Sequence, residues 1–363
     1  MKKEWKLEEN KLDYWDWRWY THFNASMYVF VGGRRYGKTY SPKYLAIKNH
    51  FKKGHKYMYI RRYRNEIDAV KHDLFTDVAN DMGVDVRIEG QNMYVRKQPP
   101  AGLSKNEIKN EFPWEHFGYC IALSQQQIYR SASFPDVTLI HYDEFIPENK
   151  RQRELPNEYN MLISLFETVN RNRTNCRLLL TANSISLDNF VFRALKVKLG
   201  DFKNGKDYKH HSYEDRIVTR NKGKILIGML RSEHNEQIIK KSTMGQLANE
   251  NYLEYAVYNR FTDGHDAFII PKKPKNAEYA FTFTDGDDKL DVFVVPETIR
   301  EYGYWVSSNG KGNELFSTDK TMPIPDAPYR HDILRRCREF THNLMIRYQN
   351  PESRILWFTM IKP

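Results

Sequence analysis

The chain has little cysteine, no long apolar run and fewer acids than bases. Cys120, Cys176 and Cys337 are its only cysteines, each amid apolar or helical-looking sequence and none at metal-ligand spacing. A disulfide-stapled secreted fold and a cysteine-based zinc site are thereby excluded. The thiols read as small core side chains in a reducing compartment. No stretch approaches the ~20 apolar residues of a membrane-spanning helix, and Met1-Lys2-Lys3-Glu4-Trp5 lacks a signal-peptide core, so a cytoplasmic protein with no membrane partner is expected. The 46 Asp+Glu face 57 Lys+Arg, a formal charge of +11 with a pI near 9.2. That excess suits either a polyanionic partner or simply a solvated basic surface. No internal repeat or low-complexity tract is present.

What is there begins with Gly32-Gly33-Arg34-Arg35-Tyr36-Gly37-Lys38-Thr39, which matches the phosphate-loop pattern G-x-x-x-x-G-K-[ST] (Walker A). It follows the apolar run 27–31 and precedes the helix-compatible residues 40–49, the strand-loop-helix context the pattern needs. Glycines let successive backbone N–H groups curl around one anion. Lys38 then reaches the outer phosphates, the Thr39 hydroxyl ligates magnesium, and the following helix points its N-terminus at the ligand. ATP and Mg2+ are the expected cofactors.

At 363 residues the chain should hold two or three domains. Strand-like and helix-like segments alternate as far as residue 200, which implies crossovers and a mainly parallel sheet. Strands are expected at 27–31, 56–62, 117–123, 137–142 and 176–182, a hairpin at 84–95, and helices at 65–80 and 155–169. A polar tract from 201, then His210-His211, marks a linker subdomain, the histidines being read as exposed for want of further ligands nearby. A third segment offers strands at 280–284 and 292–295, a helix at 331–348 and a last strand at 354–361. The boundaries are therefore 1–205 for a phosphate-loop ATPase domain, 206–262 for the linker and 263–363 for a small α+β domain.

A second motif closes the strand Val137-Thr138-Leu139-Ile140-His141-Tyr142 with Asp143-Glu144 (Walker B). Neighbours at a strand end point to opposite faces and take different tasks. Asp143 should hold magnesium through its water shell, and Glu144 should polarise the water that attacks the γ-phosphate. A GTPase switch would show Asp-x-x-Gly here, whereas Phe145-Ile146 follows; the catalytic Glu points instead to additional-strand ATPases, which work as rings. Asn183, ending the strand that contains Leu178-Leu179-Leu180, either orients the water or senses the γ-phosphate, or caps a helix beginning near Ser184. Arg171 and Arg173 suit the negative end of the helix before them, or supply an arginine finger to a neighbouring subunit. Arg130 is a second candidate for trans contact or for gripping a phosphate backbone.

Val31-Gly32 through Thr39, Tyr59-Ile60-Arg61-Arg62-Tyr63-Arg64, Asp143-Glu144-Phe145-Ile146, Pro156-Asn157-Glu158, Thr168-Val169-Asn170-Arg171-Asn172-Arg173 and Thr181-Ala182-Asn183 together resemble the genome-packaging ATPase of small phi-twenty-nine-like podophages. The likeness is good over the first 200 residues and weak beyond. It implies a homomeric ring, five subunits being the expected number, at the portal vertex of an empty capsid in the host cytoplasm, translocating double-stranded DNA. It implies phosphate and metal roles for Lys38 and Thr39, a metal role for Asp143, the base for Glu144, the sensor for Asn183 and the trans finger for Arg171. Arg130 falls where the family has a basic residue that acts in trans, and Arg64 where it has a lysine. The C-terminal part is similar to an RNase H-like nuclease without activity, which contacts the portal and, in some members, a structural RNA.

The chain departs from this pattern in two places. Trp15-Asp16-Trp17-Arg18-Trp19-Tyr20 either packs on the domain or walls an adenine pocket, and Arg34-Arg35 stand where glycine would ease the curl. The rival enzyme is a large terminase with a live nuclease, which needs carboxylates from separate strands around two metals; Asp285, Asp287, Asp288 and Asp291 instead cluster about one turn. The rival non-enzyme is a nucleotide-gated nucleic-acid binder, which would have no use for Glu144. A motor should touch DNA mainly through phosphates, with Arg64, Lys105, Lys109 and Arg130 as candidates and the last three placed on loops.

Overall fold

Alternation of apolar strands with amphipathic segments yields an α/β protein with two sheets. The computed structural model describes residues 12–147, 154–183, 189–197, 201–202, 204–248, 268–286, 288–296, 303–321 and 324–361. These fall into two units, one drawn from residues 1–185 and 201–260, the other from 186–200 and 261–363.

The first unit contains β1 (Met27–Gly32), β2 (Lys56–Arg61), β3 (Val84–Glu89), β4 (Asn92–Lys97), β5 (Glu115–Ala122), β6 (Val137–Asp143), β7 (Arg177–Asn183), β8 (Lys206–His210), β9 (Tyr213–Arg220) and β10 (Ile225–Met229). Among the described residues they form one sheet in the order β3-β4-β5-β2-β6-β7-β1-β10-β9-β8. Its middle, from β5 to β10, is parallel, and the hairpins at both ends are antiparallel. Every residue of β1 is buried, as an uninterrupted apolar strand covered on both faces must be. Residues 206–229, expected to open a linker, extend this sheet: Ile225, Leu226 and Ile227 are buried because β10 pairs alongside β1.

Helix α1 (Tyr40–Lys53) ends at Gly54, whose left-handed backbone lets its N–H reach the His50 carbonyl. The helix expected over 65–80 is two, α2 (Arg64–Val70) and α3 (Thr76–Met82). The turn between them buries Leu74 and Phe75, so burial overrides helical continuity. Helix α4 spans Lys105–Glu111 and α5 Glu158–Asn170. Trp15 and Tyr20 are fully buried with ring centroids 4.8 and 4.5 Å from Phe30, so the amino-terminal aromatics pack on the sheet. Buried Asp215 of β9 anchors them, accepting from the Tyr20 hydroxyl and from Arg231 N–H at 2.9 Å. His210 and His211 lie against Trp19.

The second unit, among its described residues, has a sheet in the order β14-β11-β12-β13-β15, built from β11 (Glu278–Thr284), β12 (Lys289–Val294), β13 (Tyr304–Ser307), β14 (Leu315–Ser317) and β15 (Ile346–Tyr348). The helix expected over 331–348 stops at His342. Leu344 adopts φ 59°, and Ile346, Arg347 and Tyr348 pair with β13. The strand expected at 354–361 is a helix, Pro351–Ile361. Proline suits a first helical turn, the Asn350 side chain accepts from Ser353 N–H at 2.8 Å, and buried Leu356, Trp357, Met360 and Ile361 have helical spacing. Cys120, Cys176 and Cys337 are unpaired and buried.

Candidate nucleotide site

Three neighbouring parallel strands bring the two sequence motifs together. β7 lies between β1 and β6, its Asn183 level with Gly32 and its Thr181 level with Asp143. Loops leaving the carboxyl ends of such strands converge, which is where α/β sheets bind ligands. A cavity of about 540 Å3 opens there, lined by the loop from Arg34 to Thr39, by Asp143, Glu144 and Asn183, and by Leu12, Tyr14, Tyr40, Lys43, Leu74, Asp77, Val78 and Ala182.

The phosphate loop keeps its curl despite its two arginines. Arg35 itself adopts a left-handed backbone at φ 66°, and Gly37 sits at φ 83°. A Cβ on Gly37 would come within 2.9 Å of Tyr14 Cβ, so glycine is required there on two counts. Tyr36 is fully buried, and its carbonyl accepts from Trp15 N–H at 2.8 Å and the Tyr213 hydroxyl at 3.2 Å. One buried tyrosine thus supplies the restraint that extra glycines would not. Lys38 Nζ, also buried, donates to the Gly32 carbonyl at 3.0 Å, the Gly33 carbonyl at 2.5 Å and Asn183 Oδ1 at 3.1 Å. The lysine, the loop and the end of β7 are one hydrogen-bonded unit.

Asp143 is buried at the end of β6. Thr39 Oγ1 donates to its Oδ1 at 3.2 Å, Thr181 Oγ1 to the same oxygen at 2.7 Å, and the Tyr59 hydroxyl to Oδ2 at 3.2 Å. Burial works against its charge, but the facing Lys43 and Arg61 and the Thr181 hydroxyl favour it, and the carboxyl is held below its usual range. The Thr39 hydroxyl beside an ionised carboxylate suits a hard, hydrated cation such as magnesium. Lys43, under the cavity, donates to the Leu74 carbonyl at 2.5 Å, and burial pushes its ammonium down to about 8. Glu144 leaves the strand at φ 52°. Its side chain is 44% exposed and meets Arg61 Nη2 at 2.6 Å, so it faces solvent while Asp143 is buried, a division of the two acids between environments.

Arg171, at the left-handed end of α5, donates to the Ala132 carbonyl at 2.6 Å, and Arg173 binds the Phe134 carbonyl at 3.0 Å. Neither lines the cavity, since both precede β7 and so lie toward the amino ends of the strands. Arg130 is exposed beside the same loop. Lys105 and Lys109, expected on loops, occupy one exposed face of α4, which Ser104 and Glu107 cap reciprocally. Arg64 is engaged locally by Asp68 at 3.2 Å and the Gly90 carbonyl at 3.0 Å. A helix capped by Asn183 would begin outside the described residues; the helix Phe190–Ala194 takes Asn189 as its cap. In the second unit Asp291 is buried and accepts from Thr282 Oγ1 at 2.6 Å and the amides of Lys311 and Gly312 at 3.0 and 3.1 Å. Asp285 caps its own turn through Asp288 N–H, and Asp287 lies outside the described residues.

Sequence reasoning assigned no individual site role to Arg61, Lys43, Tyr14, Tyr59, His141 or Thr181. The period of two carried a signal for two of them: His141 shares a strand face with Asp143, as Tyr57 does with Tyr59. Lys43 and Tyr14 had none, because they reach the cavity from a helix and an irregular segment.

Residues 11–303 match the family model described as podovirus DNA encapsidation protein (Gp16). The DNA packaging protein of Bacillus phage B103 is 27% identical over 349 residues, which cover 92% of this chain and 95% of that protein. That of Bacillus phage phi29 is 27% identical over 268 residues, 73% of this chain and 70% of the other. A chain of the bacteriophage Phi-29 viral genome packaging motor assembly superposes with a TM-score of 0.59 at 20% identity, covering 96% of this chain and 98% of that one. The Phi-28 gp11 DNA packaging motor gives 0.59 at 18% identity with the same coverage. The last two establish a shared fold.

Proposed function

The chain belongs to the podovirus DNA encapsidation protein (Gp16) family and is a phage DNA-packaging motor protein of the phi29 type; from that premise we propose that it is an additional-strand ATPase that hydrolyses ATP in a homomeric ring to drive double-stranded DNA into a preformed capsid. The ring, five subunits by resemblance, acts at the portal vertex in the host cytoplasm, and a structural RNA is a further candidate partner. The observation that carries the reading is the convergence of Lys38, Thr39, Asp143, Glu144 and Asn183 on one cavity around an intervening strand.

In this reading backbone amides from Gly33 to Thr39 and the Lys38 ammonium bind the phosphates. Magnesium, held by Thr39 and Asp143, would supply neutralisation of the phosphate charge. Asn183 positions the γ-phosphate end through Lys38, and Glu144, exposed to water, takes the proton of the attacking water once turned from Arg61. Tyr14 and Leu74 offer apolar contact for the base. Arg171 lies away from its own cavity, so a catalytic part for it requires a neighbouring subunit, and Arg130 belongs to the same surface. Lys105, Lys109 and Arg64 are the remaining candidates for DNA phosphate contact. A large terminase with a live nuclease is less well supported, because Asp291 already satisfies a loop through three donors.

The test is ATPase rate against protein concentration, with and without double-stranded DNA, for the native chain, Glu144→Gln, Arg171→Ala and a mixture of the two variants. Activity that rises with concentration, is lost in each variant and returns in part on mixing is expected. Rates independent of concentration and indifferent to Arg171 would overturn the ring mechanism.

A further inference from the structure

Behind the metal carboxylate, on the side away from the cavity, a chain of hydrogen bonds runs through the sheet. The Tyr57 hydroxyl lies 2.6 Å from His141 Nδ1, His141 Nε2 lies 2.7 Å from Thr181 Oγ1, and Thr181 Oγ1 lies 2.7 Å from Asp143 Oδ1. Tyr57, His141 and Thr181 come from β2, β6 and β7, are buried to 1% exposure or less, and do not line the cavity. A buried histidine of this kind commonly serves only packing, yet here both ring nitrogens are engaged in one directed series.

The donors can be assigned from chemistry. An ionised carboxylate only accepts, so the Thr181 proton goes to Asp143. Thr181 Oγ1 must then receive its hydrogen from His141, which places the ring proton on Nε2. Nδ1 of the neutral ring is left as the acceptor of the Tyr57 proton. All three hydrogen bonds therefore point toward Asp143 and reinforce one another. With Thr39 and Tyr59 also donating, the carboxylate has one orientation available.

We propose that His141 is a positioning residue for the metal site: Tyr57 selects its Nε2–H tautomer, and through Thr181 it holds the Asp143 carboxylate turned so that its remaining lone pairs face the bound nucleotide's cation. The inference rests on the nucleotide-site reading above. Groups that orient a ligand in this way are typically worth ~10- to 100-fold in metal affinity. Tyr57→Phe is the cleanest probe, because the buried ring stays while its proton is removed three hydrogen bonds back from the carboxylate.

Binding of Mn2+ to the full chain in the presence of ADP, followed by the loss of the free-ion electron paramagnetic resonance signal, reads this directly, with metal-free ADP affinity measured alongside. Tyr57→Phe and Thr181→Val should each weaken Mn2+ binding about tenfold with metal-free ADP affinity unchanged, and Thr181→Ser should restore it. In Asp143→Asn, adding Tyr57→Phe should cost nothing further. Native-like Mn2+ binding by folded Tyr57→Phe and Thr181→Val overturns the relay and leaves the nucleotide site standing. Equal losses of Mn2+ and metal-free ADP affinity, or an undiminished effect of Tyr57→Phe on the Asp143→Asn background, overturn it in favour of packing. Failure of the native chain to bind ADP at all overturns both readings before any variant is made.

Discussion

Glu158 is the residue whose loss should be felt furthest from its own position. Its side chain is fully buried, and its carboxylate receives Arg62 Nε at 3.0 and 2.9 Å, Leu155 N–H at 2.7 Å and the Tyr142 hydroxyl. Arg62, only 2% exposed, also donates to the Phe145 carbonyl at 2.6 Å, so the pair ties the end of β2 and the start of α5 to the backbone next to Glu144. Glu158→Gln keeps the shape but strands the guanidinium in a buried place, a change that costs ~3–5 kcal/mol when one partner of such a pair is removed. At ~2–4 °C per kcal/mol for a unit of this size, the first unit's unfolding midpoint should drop roughly 6–20 °C. Arg62→Met should cost a similar amount, since Glu158 then keeps only neutral donors. The double variant removes both charges and should fall short of the summed losses by ~1–3 kcal/mol. The assay is thermal unfolding of the four proteins at one concentration, with ATPase measured below the lowest midpoint. Single variants within 1 °C of native, or a double variant equal to the sum, would refute the claim that this pair is a coupled buried unit.

Three further outcomes are expected. Gly37→Ala should lower nucleotide affinity at least tenfold in a fluorescent-nucleotide titration, because φ 83° disfavours a side chain and Tyr14 occupies the space it would need. Burial pushes the Asp215 carboxyl well above its usual range, so the folded chain keeps a proton that the unfolded chain releases near pH 4. The resulting contribution to stability is complete below that pH and is lost as pH rises through the folded value; Asp215→Asn, which does not titrate, should therefore gain stability relative to native between pH 5 and 8 in paired melts, and a constant difference would disprove it. Double-stranded DNA binding by the assembled protein should weaken steeply with salt and ignore sequence, with Lys105→Ala/Lys109→Ala reducing the slope in a filter-binding series; a marked sequence preference would count against a phosphate-gripping motor.

Much of the site was legible because it is written in short, contiguous signals. A phosphate loop needs its glycines, lysine and threonine at fixed spacing behind an apolar strand, and Asp143-Glu144 follows a strand readable from its largely apolar residues. The sheet's parallel middle followed from alternation, and the hairpin from Gly90. Local pattern failed at the carboxyl end of the chain, where 354–361 is apolar enough for either a buried strand or a buried helix, and the Pro351 start and Asn350 cap decide it. Between 65 and 80 helical spacing continues through residues that the core instead pulls into a turn.

Only the tertiary structure decided what surrounds the two motifs. That β7 stands between β1 and β6 is a matter of strand order, which periodicity does not encode. That Tyr36 steadies a loop carrying Arg34-Arg35 depends on Trp15 and Tyr213, which lie 21 residues before and 177 residues after it. Arg61 on Glu144, Lys43 under the cavity and the series from Tyr57 to Asp143 each join residues from separate segments of the chain. The amino-acid sequence by itself determined which groups could perform phosphate chemistry, since that is a property of residue type and local spacing; folding determined which of them meet and how each carboxylate is held, since burial and hydrogen-bond geometry exist only once distant segments are packed together.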